Sequence, residues 1–260
     1  MSVRDSHEAR QARRRGVDWV DLKDPNNGSL GAADEATAAA VARELQQSSD
    51  SANPSHRVQS AAVGELRDMP TLAAKSLACY FPLLKVGLSG LCERQDWPQQ
   101  LAEFSKMVEL AGARLVPVIY ADHVACHAPD PAQVIEVAAS LHEQPAVPRA
   151  DSSYALASSS DDIAAPLGMP RYLLIDTFTK DGRRLLDWME LAELESIVHQ
   201  AAASGRQTVV AGSLALLDIP QLMSLPIAAI AVRGAVCVGD RRSGLCPEKL
   251  RHWVELFSAR

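Results

Sequence analysis

The sequence predicts an α/β fold, a (β/α)8-type barrel that takes residues 1–260 as one domain. Apolar runs typical of buried strands alternate with longer helical patterns, and strands that alternate with helices of about 10–15 residues form parallel βαβ units. The strand runs are almost continuously apolar, as in a parallel sheet that is covered on both faces. The length also fits, because such barrels use about 250 residues.

Seven strand-then-helix units follow one another along the chain. The predicted strands are VDWVDLK, HRVQSAAVGEL, FPLLKVGL, ARLVPVIYADH, RYLLIDTFTKDG, RQTVVAGS and IAAIAVRGAV. Each leads into a helical pattern, such as DEATAAAVARELQQ after the first. A closed barrel of eight needs one more strand, ahead of the helix DSHEARQARRR. Only Met-Ser-Val precedes that helix, so we expect the first strand to be very short or missing.

One segment departs from the alternation. Residues from about 144 to 170 are rich in Pro, Ser, Ala and Asp and carry neither a helical nor a strand period. They are predicted to form an inserted loop before the sixth strand. Composition alone fits an idle insertion better than a lid.

Charge and composition exclude several classes of protein. The formal net charge of -6 argues against general binding of nucleic acids or anionic membranes. The basic opening segment lacks the apolar core of a secretory signal, and no apolar run reaches the roughly 20 residues of a membrane helix. Five cysteines, never spaced as CxxC, favour a reducing compartment. We therefore expect a cytoplasmic protein whose oligomeric state is open, a homo-oligomer included.

Polar residues are predicted to gather at one end of this barrel. Loops that follow parallel strands meet at the same end, which carries the active site in barrels of this type. The residues that the strands deliver there are Lys23 with Asp21 and Asp24, Glu65, Lys85, Asp122 and His123, Asp176 with Lys180, Ser213 and Arg233.

Three lysines at strand ends point to amine chemistry. Lys85 lies within the apolar run LLKVG, so its side chain faces the barrel axis while its neighbours face the helices. Burial or a nearby cation lowers the pKa of a lysine and makes it nucleophilic towards carbonyls. One of Lys23, Lys85 and Lys180 is therefore predicted to form a Schiff base. The structural alternatives are a lysine that extends to the rim and an Asp176 that only neutralises lysines.

The last two strands end in small residues that can bind phosphate. The segments VVAGSL and VRGAVCVGDRR leave backbone N–H groups accessible, and the loops after strands seven and eight are the common phosphate site of such barrels. Gly212, Ser213, Arg233 and Gly234 are the candidates.

A competing signal is the segment YADHVACHA. His123 and His127 are four residues apart and could share a helix face as zinc ligands. They follow a strand end, however, and lie in a predicted loop without an obvious further ligand. A metal site is the less favoured interpretation.

Five segments resemble a known family. VDLKDPNNGSLGA, LLKVGL, LLIDTFTKDG, VAGSL and AVRGAVCVGDR are similar, in the same order, to signature segments of the (5-formylfuran-3-yl)methyl phosphate synthases of methanofuran biosynthesis. The resemblance implies a TIM-like barrel that condenses two molecules of glyceraldehyde 3-phosphate, with loss of phosphate and water. The Schiff-base lysine of the family maps to Lys23 and its acid/base lysine to Lys85, with Asp176 and Lys180 as further site residues.

The resulting hypothesis is a lyase-type enzyme without a metal or redox cofactor. Lys23 attacks a triose phosphate, Lys85 and Asp176 move protons, and Lys180 holds phosphate. Asp21 is expected at the substrate site, where it and Asp24 modulate the protonation of Lys23. The insertion, the short first strand and the Ala- and Arg-rich composition suggest a bacterial relative, from organisms that oxidise one-carbon compounds. The alternatives are a metal-dependent aldolase and a non-catalytic barrel that binds phosphorylated ligands.

Overall fold

The computed structural model describes residues 1–47, 58–141 and 169–258. All but the last two residues of the predicted insertion at 144–170 lie outside the described residues. The rest forms the expected alternation of strands and helices.

Eight parallel strands form one sheet whose order follows the sequence. Parallel neighbours in sequence order, each joined by a crossover, are the topology of a (β/α)8 barrel. The strands are β1 (Ser2–Val3), β2 (Trp19–Leu22), β3 (Val58–Glu65), β4 (Leu83–Gly87), β5 (Arg114–Tyr120), β6 (Arg171–Asp176), β7 (Arg206–Val210) and β8 (Ala229–Ile230).

Helices occupy the connections between the strands and pack on the outside of the sheet. Short 3-10 turns at Leu66–Asp68, Leu216–Asp218 and Gly234–Val236 follow β3, β7 and β8. The α-helices are α1 (Ser6–Arg14), α2 (Glu35–Gln47), α3 (Thr71–Ala78), α4 (Trp97–Leu110), α5 (Pro131–Ser140), α6 (Leu185–Trp188), α7 (Leu191–Ala203), α8 (Ile219–Leu222) and α9 (Pro247–Ser258). None of the helices within the described ranges combines the length and apolar character that a bilayer crossing requires.

The first strand is present and short. Ser2 and Val3 pair with Asp21 and Leu22 of β2. On the other side the backbone N–H of Ser2 donates to the carbonyl oxygen of Val232 at 3.0 Å, just beyond β8. Of the two expectations for this strand, the short one is correct. This contact brings the two edges of the sheet together.

Alternation along the strands separates two apolar clusters. Leu84 and Val86 of β4 belong to the larger cluster, which packs the strands against the helices. Leu83, Val116 and Leu174 belong to the smaller cluster inside the barrel. Because side chains alternate along a strand, Lys85 points inward, as predicted.

Candidate active site

A cavity of about 430 Å³ opens at the carboxyl ends of the strands. Its wall comes from β2, β4 and β6 and from the loops that follow β7 and β8. The predicted site residues that line it are Lys23, Lys85, Asp176, Lys180, Gly212, Ser213, Arg233 and Gly234. Residues far apart in the sequence therefore meet where the strand-end argument placed them. The other residues predicted at this end of the barrel do not line the cavity: Asp21, Asp24, Glu65, Asp122 and His123.

Lys23 follows β2 and lies in the cavity wall, where it forms no salt bridge with any carboxylate that the structure describes. Its side chain is buried, and Nζ lies 3.4 Å from the carbonyl oxygen of Ser29. Burial lowers the pKa of Lys23 to about 7. The charge of Asp176 opposes this shift, while the charges of Lys180 and Lys85 add to it. A lysine with a pKa near 7 has a large neutral fraction at physiological pH and is nucleophilic.

Lys85 forms an ion pair beneath Lys23. Its Nζ lies 2.5 Å from Oδ2 of Asp21, and both side chains are buried. Asp21 also accepts hydrogen bonds from the hydroxyl groups of Ser2 at 2.9 Å and Ser60 at 2.7 Å. Burial acts to raise the pKa of Asp21, but the charges of Lys85 and Lys23 and these hydrogen bonds outweigh it, and the pKa is lowered. Asp21 is thus a buried carboxylate that holds Lys85.

Asp24 has a local role in this structure. Its carboxylate accepts from the backbone N–H of Asn26 at 2.9 Å and from the side-chain amide of Asn27 at 2.7 Å. Asp24 therefore shapes the turn after β2. The expectation that it modulates the protonation of Lys23 receives no support from these contacts, since Asp24 is not among the charges that shift the pKa of Lys23 most.

Asp176 and Lys180 form the second ion pair of the cavity. Lys180 Nζ donates to Oδ1 of Asp176 at 2.9 Å and contacts Oγ1 of Thr177 at 3.0 Å. Burial would raise the pKa of Asp176, but the charges of Lys180 and Lys23 lower it below its usual value. Asp176 is consequently a carboxylate at neutral pH and can accept a proton or a hydrogen bond.

The turn after β7 presents backbone N–H groups to the cavity. Gly212 and Ser213 both have positive φ, +107° and +52°. A Cβ on Gly212 would lie 3.2 Å from side-chain atoms of Leu185 and Thr177, so the conformation and the close packing both favour glycine. Within the described ranges these two N–H groups donate to no protein acceptor. They are available to an anion.

Arg233 lines the cavity, but its guanidinium is directed into the protein. It donates to Oε2 of Glu8 at 2.8 Å, to the carbonyl oxygen of Ser2 at 3.2 Å and to that of Arg241 at 2.6 Å. The side chain is almost fully buried. These contacts do not support its predicted role as a phosphate ligand; the guanidinium joins α1 and β1 to the end of β8.

The histidine pair does not form a metal site in this structure. Nε2 of His123 lies 3.9 Å from a carboxylate oxygen of Asp130, and His127 is exposed in the same loop. Over the described ranges no three His, Cys, Asp or Glu side chains are placed to share a metal ion. Neither histidine lines the cavity.

Comparison with known proteins shows the family of the chain. The family model described as 4-HFC-P synthase matches residues 1–147 and 151–254. The chain belongs to this family. The synthase of this family from Methanococcus maripaludis strain C5, named (5-formylfuran-3-yl)methyl phosphate synthase, is 30% identical over 94% of this chain and 92% of its own length.

Other archaeal members are similarly related. The protein of the same name from Methanopyrus kandleri is 30% identical over 91% of this chain and 88% of its own length. The protein of the same name from Archaeoglobus fulgidus is 28% identical over 94% of this chain and 90% of its own length. The resemblance read from the sequence motifs is confirmed, whereas the suggested bacterial origin stays a prediction.

Solved structures of other enzymes confirm the barrel. Phosphoribosyl anthranilate isomerase from Thermus thermophilus superposes with a TM-score of 0.56 at 12% identity, covering 99% of this chain and 96% of that chain. Thiamine phosphate pyrophosphorylase from Pyrococcus furiosus gives a TM-score of 0.51 at 14% identity, covering 96% of this chain and 89% of that chain. At these identities the likeness concerns the fold alone.

Two residues of this family member escaped the sequence argument, Arg241 and Ser29, while Asp122 was expected at a strand end but without its contacts. Arg241 lines the cavity from the loop after β8. Ser29 joins the loops after β2 and β6, because its hydroxyl donates to the carbonyl oxygen of Thr177 at 3.0 Å. Asp122 accepts from the backbone N–H groups of Phe178 and Thr179, each at 2.7 Å. Arg241 and Ser29 lie in motif segments, GDRR and NNGSLG, but their contacts are long-range.

Proposed function

We propose that this chain is a (5-formylfuran-3-yl)methyl phosphate synthase that condenses two molecules of glyceraldehyde 3-phosphate through a Schiff base on Lys23. Its membership of a synthase family supports an enzyme in methanofuran-type biosynthesis. The observation that carries the mechanism is the Lys23 amine, which is buried, has no carboxylate partner within the described ranges and has a pKa of about 7.

In the first step the neutral Lys23 amine attacks the carbonyl carbon of one triose phosphate, or of its ketose isomer. The carbonyl oxygen leaves as water and a protonated imine remains. This cation withdraws electrons from the neighbouring carbon, so a proton can be removed there and the resulting enamine can add to the aldehyde of the second triose. The reaction needs no oxidant, because the two trioses together contain the atoms of the furan product, one phosphate and water.

We assign proton transfer to one group from each ion pair beside Lys23, the amine of Lys85 and the carboxylate of Asp176. Lys85, held by Asp21 at 2.5 Å, lies next to the amine on the inner side of the barrel. Asp176 accepts from Lys180 at 2.9 Å and faces the same cavity. These groups can serve enolisation, aldol addition and elimination of phosphate in turn. The free N–H groups of Gly212 and Ser213 can bind a phosphate.

Reductive trapping tests the nucleophile. Incubating the protein with glyceraldehyde 3-phosphate and borohydride should add the mass of a reduced triose adduct to the tryptic peptide that contains Lys23, because borohydride reduces an imine irreversibly. Lys23→Ala should abolish the adduct. Lys75→Ala, which changes an exposed lysine on α3, is the matched control and should trap normally. An adduct that persists in Lys23→Ala would place the Schiff base elsewhere.

Product identification tests the reaction. Mass spectrometry of the pure protein with glyceraldehyde 3-phosphate alone should find the furan aldehyde phosphate and free phosphate in equal amounts. Binding of the triose without any product would instead favour the non-catalytic barrel. Activity lost on chelation and restored by zinc would favour the metal-dependent aldolase.

A further inference from the structure

The cations of the cavity differ in whether a carboxylate neutralises them. Three of them form salt bridges, with these nitrogen-to-oxygen distances: Lys85 with Asp21 at 2.5 Å, Lys180 with Asp176 at 2.9 Å, and Arg233 with Glu8 at 2.8 Å. Two lining cations have no such partner over the described ranges, Lys23 and Arg241. Burial lowers the pKa of Lys23 to about 7, so it is only partly charged at neutral pH. Among the described residues, Arg241 is therefore the fully charged cation of the cavity that has no salt-bridge partner.

Arg241 is also placed to meet a ligand. Its side chain is half-buried in the cavity wall. A single guanidinium hydrogen bond, from Nη2 to the carbonyl oxygen of Gly28 at 2.9 Å, crosses from the loop after β8 to the loop after β2. Within the described ranges Nε and Nη1 donate to no protein atom. A guanidinium has five N–H donors, so most of those of Arg241 remain available.

The neighbouring carboxylate does not neutralise it. Asp240 lines the cavity, but its Oδ1 accepts from the backbone N–H groups of Arg242 and Ser243, at 2.9 and 3.1 Å, and from the Ser243 hydroxyl at 3.3 Å. It forms no salt bridge with Arg241 among the described residues, and it is exposed to solvent. The carboxylate of Asp240 thus stabilises its own turn.

We infer that Arg241 is the guanidinium that binds a phosphate group of the substrate in this cavity. The forked donors of arginine fit two phosphate oxygens, and a half-buried charge without a partner is best satisfied by an anion. The Cβ of Arg241 also lies beside the phosphate-site glycine Gly234, 3.9 Å from the point where a Cβ of that glycine would be. The inference rests on the proposed function for the identity of the substrate, but phosphate binding itself can be tested without turnover.

Titration with inorganic phosphate tests the inference. Isothermal titration calorimetry on the full chain should detect phosphate binding, and Arg241→Gln should weaken it by about tenfold to a hundredfold, the effect of losing charge-assisted hydrogen bonds. The phosphate affinity of Arg241→Lys should lie between those of the wild type and Arg241→Gln, since lysine keeps the charge but lacks the paired N–H donors of the guanidinium. Arg242→Gln removes the same charge from the exposed neighbour and should bind phosphate like the wild type.

A second measurement separates phosphate binding from a loosened loop. The KM for glyceraldehyde 3-phosphate should rise in Arg241→Gln, whereas trapping of the phosphate-free aldehyde glyceraldehyde on Lys23 should be unchanged. Absence of phosphate binding by the wild type, or equal binding by Arg241→Gln, overturns the inference. If no furan product forms, the proposed function fails while the phosphate titration still tests Arg241. If Arg241→Gln does not fold, the comparison of Arg241→Lys with the wild type carries the test.

Discussion

At the residue scale, three lysines in one cavity differ because of their partners. Lys85 and Lys180 each have a carboxylate oxygen within 3 Å of Nζ. Among the described residues, the hydrogen-bond partner of Lys23 Nζ is the carbonyl oxygen of Ser29, at 3.4 Å. Residue type and strand position made these lysines equivalent candidates. Burial without a paired carboxylate distinguishes Lys23 from the other two and supports its proposed role as the nucleophile.

The neighbours of Lys23 should set the pH at which it reacts. Its pKa of about 7 means that imine formation should rise with pH and level off above 7, well below the ordinary lysine range. Lys180→Met removes a cation that disfavours the ammonium form, so the midpoint should move to higher pH. Asp176→Asn removes an anion that favours the ammonium form, so the midpoint should move to lower pH. The midpoint for each variant can be measured by trapping glyceraldehyde on Lys23 with cyanoborohydride at a series of pH values.

The matched control is Lys75→Met. Lys75 is exposed on α3, so this variant should keep the wild-type midpoint. Midpoints that move in the same direction for Lys180→Met and Asp176→Asn would contradict the electrostatic account of Lys23.

At the element scale, the loop after β6 is held by a carboxylate from the end of β5. Both oxygens of the buried Asp122 accept short backbone hydrogen bonds, from Phe178 and Thr179. The next residue in the chain is Lys180, which pairs with Asp176. Asp122 is therefore a positioning residue for the second ion pair of the site.

Asp122→Asn should both destabilise the protein and misplace Lys180. An amide has one acceptor oxygen, so its NH2 group would face a backbone N–H, and losing one hydrogen bond to a charged group costs about 1.5–3 kcal/mol. Urea unfolding should show this loss in the free energy of unfolding, and kcat should fall more than KM rises. Asp181→Asn, an exposed carboxylate in the same turn, should unfold like the wild type. Equal stability of Asp122→Asn and Asp181→Asn would contradict the proposed role of Asp122 in holding the loop after β6.

At the scale of the whole molecule, the barrel closes where its strands are shortest. β1 and β8 have two residues each. A backbone hydrogen bond from Ser2 of β1 to Val232, just beyond β8, joins the two ends of the sheet. The buried pair of Arg233 and Glu8 reinforces this seam, since Arg233 also donates to the carbonyl oxygen of Ser2. The ion pair of Arg233 and Glu8 thus adds to the few backbone hydrogen bonds that two-residue strands can form at this seam.

Glu8→Gln should open this seam. It leaves a buried guanidinium without its counter-ion, and breaking a buried ion pair from one side costs about 3–5 kcal/mol. Urea unfolding should show this destabilisation, and the double variant Glu8→Gln with Arg233→Met should recover part of it because the unpaired charge is gone. Arg94→Gln, which breaks an exposed pair with Asp96, should change stability little. A Glu8→Gln variant as stable as the wild type would show that the pair does not hold the seam.

Much of the fold was predictable because it depends on local pattern. Each of the seven apolar runs contains a strand. Residues at or just after the carboxyl ends of β2, β4, β6, β7 and β8 line one cavity, since parallel strands deliver their ends to the same edge. The last run was predicted too long. IAAIAVRGAV pairs as a strand only at Ala229–Ile230. Beyond it the N–H of Ala231 donates to the carbonyl oxygen of Val210 in β7, the carbonyl oxygen of Val232 accepts from Ser2 in β1, and a 3-10 turn begins at Gly234.

The assignment of the two loop arginines depended on tertiary contacts. Arg233 and Arg241 lie eight residues apart in one glycine-containing segment, and the pattern favoured Arg233 as the phosphate ligand. Its partner Glu8 is 225 positions away in sequence, on α1, and no local period encodes that contact. Because Glu8 pairs with Arg233, the cavity guanidinium that has no salt-bridge partner among the described residues is that of Arg241. Strand order and strand ends follow from periodicity, whereas the charge state of each side chain follows from which distant group the folded chain brings beside it.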